Sequence, residues 1–130
     1  MTKEFDVWNV NKKNIQDKKP SGVKFHPREV WWCALGVNIG SEQDGIGDNF
    51  ERPVVIIKNL SPSTFIILPL STKEKLAQFQ FKVNINYKQG YALLDQIKVI
   101  NSKRLLRKIG YIEKQEYTDL MGKFINMFKI

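Results

Sequence analysis

Short apolar runs separated by clusters of turn-forming residues constrain the fold of this chain more than any other feature. The run 30–35 is rich in strand-favouring residues and lies between Pro27 and Gly36. Two further runs, 53–57 and 65–68, stand on either side of Asn, Ser and Pro residues that are typical of a hairpin turn. The first half of the chain therefore predicts one short strand and, after a loop, a two-stranded hairpin.

The second half predicts further strands and a terminal helix. Apolar and polar residues alternate from 79 to 85, which is the pattern of a half-buried strand. After a turn at 87–90, the run 91–100 indicates either one bent strand or two consecutive strands, and 73–77 favours a helical turn. From Glu113 onward, apolar residues recur at helical spacing and favour a core or dimer contact. They are Tyr117, Leu120, Met121, Phe124 and Phe128.

About five short strands with one terminal helix predict a mainly β (α+β) fold, a small and strongly curved SH3-like antiparallel barrel with a C-terminal helix. Residues 1–24 are polar and lysine-rich, and they are interpreted as an N-terminal extension of the domain at 25–130. The apolar residues between Phe5 and Val10 favour a short helix or a strap docked on that domain. The glycine-rich segment 36–51 predicts a long loop, and loops of this length are usually functional or disordered.

The net charge and the cysteine content limit the classes of function that fit this chain. Lysine and arginine number 21 against 13 acidic residues, a formal charge of +8 at pH 7. This excess favours a polyanionic partner, although membranes and acidic proteins would satisfy it as well as nucleic acid. The single cysteine, Cys33, excludes an internal disulfide and is interpreted as a small buried hydrophobe. No apolar stretch is long enough to span a membrane and no signal-peptide pattern is present, so a cytoplasmic location is expected.

Five short sequence blocks follow one another along the chain: Glu29–Trp32, Gly40–Gln43, Arg52–Ile56, Leu68–Ser71 and Leu94–Lys98. Their order and spacing resemble those of the PemK/MazF toxin family. Each block is short, but five in the right order make a specific match over roughly residues 25–128. The extension and the lengthened loop at 44–51 are similar to the longer, PemK-like branch. The resemblance implies the CcdB-like form of the small curved barrel.

The chain departs from the family pattern at several positions. Arg28 stands where glycine is usual, and Ser71 followed by Thr72 stands where threonine is usual. Ser41 takes the place of a histidine that some relatives have. Leu93 occupies the position at which some members carry a catalytic arginine, so their arginine–aspartate mechanism cannot be carried over whole.

The resemblance implies a toxin endoribonuclease (an mRNA interferase) that cleaves single-stranded RNA through its own 2′-hydroxyl, with no metal or other cofactor. It indicates Arg52, Ser71 and Glu42 as catalytic residues. The Arg52 guanidinium presents a planar set of donors suited to phosphate oxygens, so its expected role is electrostatic stabilisation rather than general base catalysis. Ser71 would hydrogen-bond a phosphate oxygen, with Thr72 as the alternative hydroxyl, and Glu42 is the best candidate base. Without the resemblance, Arg52 and Ser71 would be interpreted as a surface charge and a turn residue.

RNA-binding residues are expected in the same blocks. They are Gln43, Thr72, Asp95, Gln96 and Lys98. The basic residues between 103 and 108 either add to the field around the phosphates or form a solvated surface. Only one of Trp31 and Trp32 can face RNA, because adjacent strand residues point to opposite faces. His26 lies outside the blocks and is a lesser candidate acid or base.

The resemblance also implies partners. It indicates a homodimer with RNA in a groove at the dimer interface, and a cognate antitoxin whose acidic segment can occupy that groove. Two alternatives stay open: a non-enzymatic, CcdB-like toxin that binds DNA gyrase, and a degenerate barrel that only binds nucleic acid. Arg52, Ser71 and Glu42 favour the ribonuclease, since a gyrase binder needs no catalytic constellation. The fold alone cannot choose among the three.

Overall fold

A curved antiparallel sheet and two α-helices make up the part of the chain that the computed structural model describes, residues 3–19, 22–40, 42–47, 50–74 and 79–129. The strands are β1 (Glu29–Ala34), β2 (Glu51–Ser61), β3 (Thr64–Ser71), β4 (Gln80–Ile85), β5 (Lys88–Leu93), β6 (Lys98–Asn101) and β7 (Leu105–Tyr111). Helix α1 (Phe5–Gln16) precedes the strands and helix α2 (Lys114–Asn126) follows them. Single 3₁₀ turns lie at Leu94–Gln96 and Ser102–Arg104.

The sheet curls because one strand changes partners along its length. The strands pair in the order β4-β5-β3-β2-β1-β7, with β6 beside β3. The first half of β3 pairs with β6, whereas Leu70 and Ser71 at its end pair with β5. Asn86, in the turn between β4 and β5, donates from Nδ2 to the Ile109 carbonyl at 2.7 Å and so joins the two ends of the sheet. The predicted fold class, a small curved β-barrel with a C-terminal helix, is confirmed.

Both faces of the central strands are buried, which explains their unbroken apolar runs. Val55 lies in a core beneath α2, together with Leu120 and Phe124 of that helix. Its neighbour Val54 lies in a second core on the opposite face, with Phe65. The predicted apolar stripe of the terminal helix is therefore a core contact at Tyr117, Leu120, Met121 and Phe124, whereas Phe128 is exposed.

Helix α1 docks on the outside of the barrel. Trp8 and Ile15 are its buried residues, and they pack against Ala34 and Phe50. The Trp8 ring lies directly over Gly36, where an added Cβ would come within 1.9 Å of the ring. The predicted short helix near residue 5 thus forms, and a glycine accommodates it.

Several predicted elements need correction. The run 91–100 falls on two strands, β5 and β6, as one of the two alternatives predicts, and the turn expected at 87–90 lies at Asn86 and Tyr87 because β5 begins at Lys88. Strand β7 is not predicted at all, since its exposed Arg107 and Lys108 interrupt the apolar pattern. The helical turn expected at 73–77 lies partly outside the described residues. No helix in the described part of the chain is long and apolar enough to cross a membrane.

Candidate active site

Arg52 and Ser71 line one concave site, which we call the Arg52 cavity. Its volume is about 320 Å³, and Thr72, Lys88 and Gln89 contribute further polar side chains. The remaining lining side chains are mostly apolar and comprise Val30, Trp32, Ile46, Pro53, Leu70, Ile85 and Ile109. The structure therefore brings together three residues that the sequence analysis selects from different blocks or positions: Arg52, Ser71 and Thr72.

Two backbone carbonyls hold the Arg52 side chain in place. Nε donates to the Asp44 carbonyl at 2.8 Å and Nη1 donates to the Leu70 carbonyl at 3.3 Å. A guanidinium has five N–H donors, so the contacts made within the described residues leave donors for an anion. Burial lowers the pKa of Arg52 below its ordinary value, against the opposing effect of the Asp44 charge. The Arg52 guanidinium remains charged, because arginine is not deprotonated in proteins. A half-buried cation attracts anions more strongly than one in water.

Two prolines lie where the pairing of β2 with β3 ends. Pro53 is paired with β1, and the pairing of β2 with β3 begins one residue later, at Val54 opposite Pro69. Proline has no N–H, so neither residue can donate a backbone hydrogen bond to the ladder. Past this point the Arg52 side chain, rather than backbone pairing of β2, bonds the Leu70 carbonyl.

Glu42 lies in a second cavity of about 180 Å³, which we call the Glu42 cavity. Gln43, Gln96 and Lys98 also line it, with Leu35, Asn38, Pro69 and Ile97. One carboxylate oxygen of Glu42 accepts the Ile39 N–H at 3.0 Å. The Gln43 N–H donates to Oε1 of Gln96 at 3.1 Å and so joins the glycine-rich loop to the turn before β6. Four sequence-selected residues thus come together here, in a cavity other than that of Arg52.

Asp44 connects the two cavities, and the sequence analysis does not select it. Its carbonyl accepts from Arg52, while its carboxylate accepts the Asn38 N–H at 2.7 Å and pairs with Lys3 at 3.0 Å. Asn38 in turn donates from Nδ2 to the Gln43 carbonyl at 2.8 Å. The composition of the loop does indicate such contacts, because Asn and Asp side chains in a glycine-rich loop commonly hydrogen-bond nearby backbone groups.

The cations near the site divide into two groups. Lys98 is half-buried, and its pKa is lowered by burial and then by the charge of Arg104, while Glu42 opposes the shift. Arg107 and Lys108 are instead engaged in ion pairs with Glu51 at 2.7 Å and Glu29 at 2.9 Å. Lys98 is therefore better placed than these two for a bound anion.

The remaining candidates lie outside both cavities or inside the core. Asp95 is exposed on the 3₁₀ turn and is not a lining residue of either cavity in the described chain. The His26 ring lies 3.4 Å from the Glu29 carboxylate. Cys33 is fully buried, as predicted, and burial raises the pKa of its thiol to about 12.

The two tryptophans of β1 point in opposite directions, as the strand alternation predicts. Trp31 is buried against Phe25, with ring centroids 4.8 Å apart, and donates from Nε1 to Glu29 at 3.1 Å. Trp32 is half-buried, lines the Arg52 cavity, and has the Arg107 guanidinium 5.1 Å from its ring centroid. In the described part of the chain, no group of three or more His, Cys, Asp or Glu side chains is arranged to hold a metal ion.

Known proteins resemble this chain both in sequence and in fold. Residues 26–128 match the sequence model of the PemK-like, MazF-like toxins of type II toxin-antitoxin systems. MazF from Deinococcus radiodurans superposes with a TM-score of 0.66 at 15% identity, covering 83% of this chain and 99% of that one. The Mycobacterium tuberculosis toxin MazF-mt6 gives 0.59 at 18% identity, covering 78% and 96%.

A further similar structure is a mycobacterial endoribonuclease solved in complex with its cognate antitoxin, with a TM-score of 0.60 at 14% identity over 77% of this chain and 90% of that one. None of the curated proteins matches the sequence. The fold is that of a small, curved β-barrel toxin. The chain belongs to the PemK-like, MazF-like toxin family, because the family match covers most of its length. The resemblance drawn from the five blocks is confirmed.

Proposed function

We propose that this chain is a toxin that acts as a metal-independent, sequence-specific endoribonuclease on single-stranded mRNA in the cytoplasm. The observation that carries the proposal is the Arg52 cavity, in which a guanidinium held by two carbonyls lies with two hydroxyl side chains among apolar neighbours. Phosphoryl transfer depends on donors that are already aimed at the developing charge. The guanidinium of Arg52 and the hydroxyls of Ser71 and Thr72 can supply such donors to a bound phosphate.

In the proposed reaction, the 2′-oxygen of a ribose attacks the adjacent phosphorus while a base removes its proton. The bond from phosphorus to the 5′-oxygen of the next nucleotide breaks, and that oxygen takes up a proton. The products are a 2′,3′-cyclic phosphate and a 5′-hydroxyl. Negative charge collects on the non-bridging phosphate oxygens, where the remaining donors of Arg52 stabilise it. Loss of such a preorganised donor typically reduces the rate by about 100- to 1000-fold.

Ser71 and Thr72 bind the same phosphate in this scheme. The Ser71 hydroxyl oxygen accepts the Lys73 N–H at 3.2 Å, which orients it and leaves its own proton for a phosphate oxygen. Thr72 is exposed at the end of β3 and lines the same cavity. We assign Ser71 to the scissile phosphate and Thr72 to RNA binding beside it.

Glu42 acts as the base from the neighbouring cavity. One of its carboxylate oxygens is occupied by the Ile39 N–H, so the other can accept the proton of the 2′-hydroxyl. Gln43, Gln96 and Lys98 bind the nucleotide in that cavity, and Asp95 contacts RNA at its exposed side.

The proposal includes two protein partners. A second copy of the chain forms a homodimer, and a cognate antitoxin neutralises the toxin by placing an acidic segment over the cationic site. The excess of positive charge on this chain supports the second interaction. Among the similar structures, the mycobacterial endoribonuclease is bound to its cognate antitoxin.

Cleavage of a long single-stranded RNA in EDTA tests the proposal. The wild-type protein should yield discrete fragments with 5′-hydroxyl ends, and Arg52→Ala should lower kcat by about 100- to 1000-fold. Lys82→Ala is the control for loss of one positive charge, because Lys82 is exposed and lines neither cavity. Glu42→Gln should lower kcat as well, because it removes the carboxylate proposed to accept the proton of the 2′-hydroxyl.

Three outcomes count against the proposal. Equal losses for Arg52→Ala and Lys82→Ala would show a non-specific effect of charge. Cleavage that disappears in EDTA would contradict metal independence. No cleavage of a diverse RNA by the folded, antitoxin-free dimer would reject the ribonuclease and favour gyrase binding.

A further inference from the structure

A groove lies between helix α1 and the 3₁₀ turn Ser102–Arg104, outside both cavities of the proposed active site. Its volume is about 640 Å³, which makes it larger than either of them. Helix α1 forms one side of this groove and lies before residue 26, where the family match begins. The groove is therefore a feature of this chain's extension together with its barrel.

Four cations line this α1 groove: Lys12, Lys13, Lys103 and Arg104. Asp17 is the one carboxylate among the described lining residues. Within the described part of the chain, none of the four cations makes an ion pair, in contrast to Arg107 and Lys108 on the next strand. Like charges gathered in a concave surface repel one another, and a bound polyanion removes that cost.

Two of the cations are held in position by the barrel and the helix. Lys103 donates from Nζ to the Gln16 carbonyl at 3.0 Å, which ties the turn to the end of α1. Arg104 donates from Nη1 to the Ala34 carbonyl at 3.1 Å and lies 5.8 Å from the Trp8 ring centroid. The groove is thus a fixed structure rather than a collection of free lysines.

Strand β6 connects the groove with the Glu42 cavity. Lys98 at the start of β6 lines the cavity, and Asn101 at its end lines the groove. Three residues of strand span about 10 Å, so the cations of the groove and the cavity lie close enough to act on a common ligand. Such a ligand must be an extended chain that carries regularly spaced negative charge.

We infer that the α1 groove binds the phosphate backbone of the RNA on one side of the cleaved bond. The inference rests on the proposed function, and it extends the RNA site beyond the family domain. Asn9, Gln16 and Asn101 line the groove beside the cations and can bond phosphate and ribose hydroxyl groups. Because Trp8 is buried, the described lining residues of the groove include no exposed aromatic ring for base stacking, so the contact follows the backbone and is independent of sequence.

Salt-dependent binding tests the inference in the Arg52→Ala background, which prevents cleavage during the measurement. Anisotropy would be measured with a labelled RNA of about 20 nucleotides and a short one of about 6 nucleotides. The groove variant is Lys12→Gln with Lys13→Gln, two exposed lysines of α1. The control is Lys82→Gln with Lys114→Gln, which changes the net charge equally at exposed positions that line neither the groove nor the cavities.

The groove variant should weaken binding of the long RNA about tenfold near 0.1 M salt and reduce the slope of log Kd against log salt by about 1.4, since each single-strand contact contributes about 0.7. The control should bind as the parent does, and the short RNA should be affected less than the long one. Equal effects of both pairs, or no change in slope, would overturn the inference. Unchanged RNA binding with weakened binding of an acidic antitoxin would assign the groove to protein instead.

Failure of this inference can be distinguished from failure of the proposed function. If wild-type protein cleaves RNA but the groove variant keeps the parent's slope, only the groove assignment is wrong. If wild-type protein does not cleave RNA, the binding slopes still decide whether the groove holds a nucleic acid backbone.

Discussion

Arg28 occupies a backbone conformation that a glycine would adopt at lower cost. Its φ is 77°, in the left-handed region, and it stands where the PemK/MazF pattern usually has glycine. The backbone is held there from both sides: its N–H donates to the Ile56 carbonyl and its carbonyl accepts the Ile112 N–H, each at 2.9 Å. The side chain adds a bond from Nε to the Ile112 carbonyl at 3.0 Å and lies 5.6 Å from the Tyr111 ring centroid.

Arg28→Ala and Arg28→Gly separate the backbone strain from these side-chain contacts. Both variants lose the hydrogen bond, at a cost of about 1 kcal/mol, and the cation–π contact, at a cost of about 0.5–1 kcal/mol. Only the alanine keeps the left-handed strain, which costs about 1–2 kcal/mol, whereas glycine costs about 0.4–1 kcal/mol through greater freedom of the unfolded chain. The glycine variant should therefore be more stable than the alanine variant by about 0.5–1 kcal/mol.

Urea unfolding at one fixed protein concentration measures the difference, because a dimer would make stability depend on concentration. The midpoints should fall in the order wild type, Arg28→Gly, Arg28→Ala, with thermal midpoints of the two variants about 2–4 °C apart. Equal midpoints, or a more stable alanine variant, would refute the reasoning, since the two variants differ only in the conformation that the backbone prefers.

Three further predictions concern stability and reactivity. Burial raises the pKa of Glu29, but hydrogen bonds from Lys108, the His26 backbone and Trp31 outweigh it and leave the pKa below its ordinary value of 4.5. The stabilisation from Glu29 is thus complete above its ordinary pKa and is lost as the pH falls through its pKa in the folded protein. On acidification, the urea midpoint should therefore decline more steeply in wild type than in Glu29→Gln. Cys33, with its pKa raised to about 12 by burial, should resist iodoacetamide in the native protein and react fully in denaturant; rapid native labelling would contradict the buried position. Gly122→Ala should raise the free energy of unfolding by about 1 kcal/mol, because the glycine lies inside α2 and an added Cβ has open space; an unchanged urea midpoint would contradict this.

The strands that the sequence predicts well are those with apolar side chains at adjacent or alternating positions. Strand β2 contains an uninterrupted apolar run because its adjacent residues Val54 and Val55 are buried in two different cores. Strand β7 carries Arg107 and Lys108 on consecutive residues, so no local period reveals it. Its place in the sheet comes from pairing with β1, a contact distant in sequence that no local window contains.

The sequence selects candidate site residues but not their geometry. Arg52 and Ser71 carry no distinctive local signal, and the family blocks alone select them. The distribution of the candidate residues over two cavities depends on where the β2–β3 ladder ends, at Val54 opposite Pro69, and on the Asp44 carbonyl that holds Arg52. Both contacts join residues that are not neighbours in the sequence. The turn chemistry of the loop indicates that Asp44 is bonded, but not to which strand residue its carbonyl bonds.

The division of the site has a consequence for specificity under the proposed mechanism. In that mechanism, the scissile phosphate of the RNA lies at Arg52 and the attacking 2′-hydroxyl approaches Glu42. The nucleotides of the RNA therefore lie in two different environments. The Arg52 cavity is bounded mostly by side chains such as Trp32 and Ile46, which can stack on or exclude a base, and Gln89 is the one amide among its described lining residues. The Glu42 cavity offers amides, such as Gln43, that can read base edges. Base discrimination by hydrogen bonding is therefore to be sought in the Glu42 cavity, and discrimination by size and stacking in the Arg52 cavity.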